Sequence, residues 1–149
     1  MSAPITFSAY DVCRLLNGTK TMTRREITEH TKRWTVGERL WVREPWWYAG
    51  DMRDGFDRER VRYMATHRAV CPEAQWAHAN TMSQPMSRLT LTVKTLREER
   101  LQSMLPSEAA AEGYDSLKHF RSWWDHAHYA TWSENPRVIV LRFTVTQRG

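Results

Sequence analysis

Apolar and polar residues alternate most cleanly over 87–96, where Leu89, Leu91 and Val93 share one face and threonines and basic residues take the other. That period of two predicts a strand. A second strand is predicted from the Val36-Gly37 turn to Glu44, with Leu40 and Val42 on one face and Arg39, Trp41 and Arg43 on the opposite one, until Pro45 ends it. Over 138–145 the pattern opens with an unbroken apolar run, which suits a strand covered on both faces. Shorter extended stretches are predicted over 5–7, 21–25 and 60–65, the last from the alternation of Val61 and Tyr63.

Helical spacing appears in three places. Val12, Leu15 and Leu16 form a stripe behind Ser8, a capping residue with Asp11 three positions on, and Asn17-Gly18 supplies the stop, so a helix is expected over 10–16. Pro106-Ser107 begins a short helix through 108–112 that Gly113 closes. A longer helix is expected from Leu117 to about residue 130, with Phe120, Trp123, Trp124 and Ala127 as its buried stripe. Many strands with few helices imply an α+β domain, expected to be a small β-barrel flanked by short helices. The stretch 46–86 is the least regular and is expected to be a loop-rich insertion in a single domain spanning 1–149.

Length and composition agree with one globular unit, and no repeat or low-complexity tract suggests otherwise. No run approaches twenty apolar residues and no charged-then-apolar leader is visible, so no membrane partner and a soluble, cytoplasmic protein are expected. Cys13 and Cys71 have neither CxxC spacing nor nearby histidines, and are read as reduced structural thiols. The net charge is +5, and arginines outnumber lysines 18 to 4, the bias favoured for phosphate and base-edge contacts. Nucleic acid is therefore the leading macromolecular partner, although genomic base composition also produces such a bias.

Candidate chemistry concentrates in Gly18-Thr19-Lys20-Thr21-Met22-Thr23-Arg24-Arg25, a lysine, three hydroxyls and two guanidiniums just past a helix end. A solvated basic turn is the plain reading, and a site for something anionic or polar is the other. A nucleotide-binding P-loop is excluded, because Thr19 and Leu15 stand where that motif needs glycines. No Gly-x-Ser-x-Gly elbow exists, and His119, His126 and His128 lack the i, i+4 pair and ligand set of a zinc site. No metal or other cofactor is indicated. Glu112 is notable because it ends a short helix, where the dipole disfavours a carboxylate by about 0.3–1 kcal/mol, so something else is expected to hold it. Trp41, Trp46 and the neighbouring aromatics serve either as base-stacking platforms or as core.

Gly18-x-Lys20-Thr21-x-Thr23-x-Arg25 followed by Gly37-Glu38-Arg39-Leu40-Trp41-Val42-Arg43-Glu44 resembles the ASCH family, a branch of the PUA-like barrels, and especially its phage-type members. Ser87-Arg88-Leu89-Thr90-Leu91, Ala111-Glu112-Gly113 and the stretch from Asn135-Pro136 to Phe143 fit the same pattern. The resemblance implies association with RNA. Some small bacterial members look like N4-acetylcytidine amidohydrolases that use a lysine, a threonine and a glutamate, and the resemblance places those roles on Lys20, Thr23 and Glu112. If the chain is phage-encoded, its place would be the host cytoplasm.

Chemically, a lysine relieved of its proton in an arginine-rich pocket would act as base toward Thr23 or a water, and Glu112 would exchange a proton with the leaving amine. In a regular strand Lys20 and Thr23 point to opposite faces, so a shared site requires a turn or bulge between them. Three activities stay open: hydrolysis of a modified cytidine, non-catalytic RNA binding, and ribonuclease action on single-stranded RNA. In the binding reading Arg24, Arg25, Arg39 and Arg43 meet phosphates, and Trp41 or Trp46 stacks on a base.

Overall fold

The computed structural model describes residues 3–148. Its strands and α-helices run in the order β1 (Ala3–Thr6), α1 (Ala9–Leu16), β2 (Met22–Glu26), β3 (Arg39–Arg43), β4 (Trp46–Tyr48), β5 (Val61–Tyr63), α2 (Met64–His67), β6 (Leu89–Arg100), α3 (Glu108–Glu112), α4 (Leu117–Ala127) and β7 (Arg137–Gln147), with short 3-10 turns between them. The architecture is α+β, as the patterning predicts. A five-stranded sheet has the order β1-β3-β6-β7-β2, and β4 and β5 form a separate two-stranded ribbon.

The sheet is not closed into a barrel, since β1 and β2 stand at its two edges. One side chain reaches between them: Arg25 Nη2 donates to the Thr6 carbonyl at 2.7 Å. His30 Nε2 lies 3.1 Å from the carbonyl of Pro4 on the same edge strand.

β7 shows why an uninterrupted apolar run makes a central strand. Ile139, Leu141 and Phe143 pack with Phe7, Val12 and Leu91 in one core, while Val138 and Val140 pack with Met22, Phe120 and Trp124 in another. Alternate residues of one strand thus feed two cores on opposite faces of the sheet. β6 pairs with β7 along its length, with a register shift between Val93 and Thr95. Before that bulge its side chains alternate between buried and half-buried, and beyond it they turn mostly to solvent.

Differences from the predicted elements are local. The long helix ends at Ala127 rather than near 130, because His128 is already extended. The strand expected over 60–65 stops at Tyr63, where α2 begins. Within 46–86, the β4–β5 ribbon gathers Tyr48, Val61, Tyr63, Met82 and Met86 into a satellite cluster of their own. No helix among the described residues is long and apolar enough to cross a membrane.

Candidate functional site

The turn after α1 is fixed from both sides. Ser8 Oγ accepts the Asp11 N–H at 3.2 Å to start the helix, Asn17 caps its end, and Gly18 turns the chain at φ +82°. Lys20 N then bonds Arg14 O at 3.0 Å and Thr21 N bonds Ala111 O at 2.8 Å, so Lys20 precedes β2 instead of belonging to it. The alternation that would separate Lys20 from Thr23 therefore does not apply.

Lys20 is buried, and its Nζ donates to the Glu112 carbonyl at 2.7 Å and to Glu112 Oε1 at 3.2 Å. Asp11 Oδ1 lies 3.9 Å away, and the rings of Phe7 and Tyr114 lie 5.9 and 5.8 Å from the ammonium. Glu112 itself has no exposed surface, and its Oε2 accepts from Arg24 Nη1 at 2.9 Å. Two cations thus hold the carboxylate that the helix end disfavours, and the ammonium caps a terminal carbonyl besides.

Within β2, alternation resumes and sorts the remaining residues. Arg24 turns beneath α3, where Glu112, Glu108 at 2.9 Å and Glu99 at 3.3 Å engage its buried guanidinium. This corrects its expected phosphate-contacting role, because three carboxylates and complete burial leave no phosphate a route to it. Thr23 and Arg25 face the other way, with Arg25 Nε donating to the buried Thr23 Oγ1 at 3.3 Å. The Arg25 guanidinium lies 4.6 Å from the Phe7 centroid, so Lys20 and Arg25 share one aromatic ring. Loss of hydration lowers the Arg25 pKa, against the opposing pull of Asp11, Glu112 and Tyr114.

Lys20 and Glu112 are therefore brought together, while among the described residues no hydrogen bond joins either to Thr23. Arg25 instead stands between Thr23 and a cleft of about 400 Å³ bordered by Phe7, Ser8, Asp11, Trp123 and His128. That volume lies within the range of small-ligand sites. Asp11 Oδ1 accepts from Tyr114 OH at 3.1 Å, and burial followed by the Asp11 charge drives the Tyr114 pKa well above its ordinary value. The His128 ring stacks on Trp124 at 3.6 Å and 11°, with its Nδ1 3.4 Å from Glu26 Oε2.

Arg43 stands beside Thr6 of the cleft wall, with Nε donating to Thr6 Oγ1 at 3.1 Å and the guanidinium 6.0 Å from the Trp41 ring. Arg39 is exposed and Trp41 half-buried on the same face of β3. Trp46 lies apart, its Nε1 bonded to Thr81 Oγ1 at 2.9 Å and its ring against the satellite cluster.

Sequence reasoning missed Asp11, Tyr114 and Trp123 as parts of this site. Asp11 reads as a capping partner, yet it takes part only through its main-chain N–H, which the Ser8 hydroxyl caps, and its carboxylate turns to Tyr114 and Lys20. Trp123 reads as core, yet it borders the cleft while its neighbours Phe120 and Trp124 are buried. Comparison of the chain with protein-family models, curated proteins and solved structures finds no match.

Proposed function

We propose that the chain is an ASCH-type, PUA-like domain that admits the base of a modified cytidine to the cleft and hydrolyses its N4-acyl amide. The observation that carries this reading is the buried Lys20–Glu112 pair, 3.2 Å apart, whose ammonium lies 3.9 Å from Asp11 on the wall of an aromatic cleft that Arg25 also borders. The half-buried Trp123 is the ring on the cleft wall that could meet a planar base, Arg25 offers donors and Asp11 an acceptor.

In the reaction, Thr23 Oγ or a water gives up its proton and attacks the acyl carbon, the C–N bond breaks, and the amine leaves with a proton; where Thr23 is the nucleophile, a water then hydrolyses its acyl ester and releases acetate. Arg25 now occupies the Thr23 hydroxyl, so an entering ligand draws this guanidinium toward the forming oxyanion and frees the nucleophile. Glu112, held on both oxygens, supplies or receives the proton through Lys20. The test is acetate release from N4-acetylcytidine by the wild type beside Lys20→Met, Thr23→Val and Glu112→Gln. Release that survives Lys20→Met overturns the assignment.

A second reading, RNA binding without hydrolysis, is favoured by Arg39, Trp41 and Arg43 on one face of β3 next to the cleft wall. Intact single-stranded RNA bound without acetate release would select it, and degraded RNA would select a ribonuclease.

A further inference from the structure

The arginines of this chain differ in what neutralises them. Arg24 and Arg97 are spent on Glu99 and Glu108, and Arg88 on the buried Glu44. Arg62 and Arg148 are anchored differently: Arg62 Nη1 donates to the Glu59 carbonyl and Arg148 Nη2 to the Pro85 carbonyl, both at 2.6 Å. Among the described residues neither has a carboxylate partner. A carbonyl positions a guanidinium without cancelling its charge, and leaves further N–H donors of the fork to spend.

Both residues border one groove of about 320 Å³, where β5 and α2 meet the start of β6 and the end of β7. Its base is rigid. Glu44 holds Arg88 through two hydrogen bonds of 3.0 Å, and the Arg88 guanidinium lies 4.1 Å over the Tyr63 ring. Arg58 and His67 also line the groove and Glu59 is the exposed acid on it, so Arg62 and Arg148 together outweigh that one exposed carboxylate. None of these residues belongs to the candidate site described above.

We infer that this groove binds phosphate, and that its ligand is the phosphodiester backbone of single-stranded RNA, contacted by Arg62 and Arg148. Planar forked donors match phosphate oxygens, and a compensated, immobile base beneath uncompensated cations suits a passing anion better than an ion pair within the protein. The choice of RNA over free phosphate rests on the proposed base-binding cleft. Glu44 anchors the groove and the adjoining Pro45 borders the cleft, so the two share the β3–β4 junction.

The experiment is fluorescence anisotropy of a labelled oligocytidylate across a potassium chloride series, using the full chain and R62Q/R148Q, with calorimetric titration of inorganic phosphate in parallel. The double variant should bind RNA several-fold more weakly. Its plot of log affinity against log salt should flatten by about 1.4, at roughly 0.7 per phosphate contact on a single strand. R62K/R148K, which keeps both charges, should restore the slope and guards against a folding defect. Unchanged affinity and slope in R62Q/R148Q overturn the proposal, as does an equal loss from K118Q/R121Q, which removes the same charge from α4. Wild-type protein that binds neither probe also overturns it. Phosphate heat lost in R62Q/R148Q without any change in RNA affinity assigns the groove to free phosphate and overturns the RNA assignment. Acetate release from free N4-acetylcytidine, which carries no phosphate, should be the same in wild type and R62Q/R148Q, so the amidohydrolase reading can fail without touching this result.

Discussion

Lys20 Nζ donates both to the main-chain carbonyl of Glu112, at 2.7 Å, and to its carboxylate, at 3.2 Å, so one ammonium ends helix α3 and neutralises the acid found there. Removing either partner leaves the other buried charge with one counter-charge fewer, Arg24 for Glu112 or Asp11 for Lys20 being what remains, at a cost of up to about 3–5 kcal/mol. Lys20→Met and Glu112→Gln should each lose that much in urea unfolding, and the double variant should lose clearly less than their sum. Additive losses would mean that the pair does not act as a unit.

Arg24 and Arg39 separate structural from surface arginines. Arg24→Met removes the buried guanidinium that joins Glu112 to Glu108, leaving Lys20 and Arg97 as their remaining cations, and should cost about 3–5 kcal/mol. Arg39→Gln, on the exposed face of β3, should leave the unfolding midpoint where it is. Equal midpoints for the two variants would contradict the burial of Arg24.

Gly113 closes α3 at φ +95°, and a Cβ there would approach Arg14 Cβ and Cγ to 3.2 Å. Gly113→Ala should therefore destabilise the chain by about 1–2 kcal/mol from the backbone conformation alone. Because Lys20 Cβ is 3.5 Å from the same point, the variant should also reduce any lysine-dependent activity. Unaltered stability would show that the turn relaxes around the methyl group.

His128 supplies the pH dependence. Burial pushes its pKa below the ordinary 6.5 and Arg25 adds to this, while Glu26 and Asp11 oppose it. Over the window below 6.5 the unfolded chain binds more protons than the folded one, so stability should fall as pH drops through that range. His128→Gln should flatten this limb of the stability profile, measured by denaturant unfolding at several pH values. A profile as steep as the wild type would assign the proton uptake elsewhere.

The strands were readable where one physical rule governed them, as in β6, where alternation alone sets the buried face, and β7, where two cores explain the apolar run. The end of α4 was not, because the Trp124 indole and main chain bind Ala130 and His128, a tertiary arrangement without a local signal. In the candidate site, the residue types of Lys20 and Glu112 stood out, but their meeting depends on a turn that period-two reasoning does not describe. The roles of Arg24 and Arg25 are opposite although they are neighbours. Strand parity separates them: on one face wait the carboxylates of Glu99, Glu108 and Glu112 from far along the chain, on the other a cleft built from Thr6, Phe7 and Asp11 together with Trp123 and His128.

The outer rim of β1 also bears on how the chain behaves at high concentration. Phe7 N bonds Arg43 O, so the odd-numbered residues of this strand direct their main-chain groups to β3 and Pro4 and Thr6 direct theirs outward. Pro4 has no N–H to give, its carbonyl meets His30, and the carbonyl of Thr6 is occupied by Arg25. An open sheet invites a foreign strand to add itself to the margin, but among the described residues of β1 this margin retains only the Thr6 N–H as a docking point. The arginine that guards the cleft is thus also a safeguard against self-association through β-strand addition, and its loss would be felt in colloidal stability as well as in ligand handling.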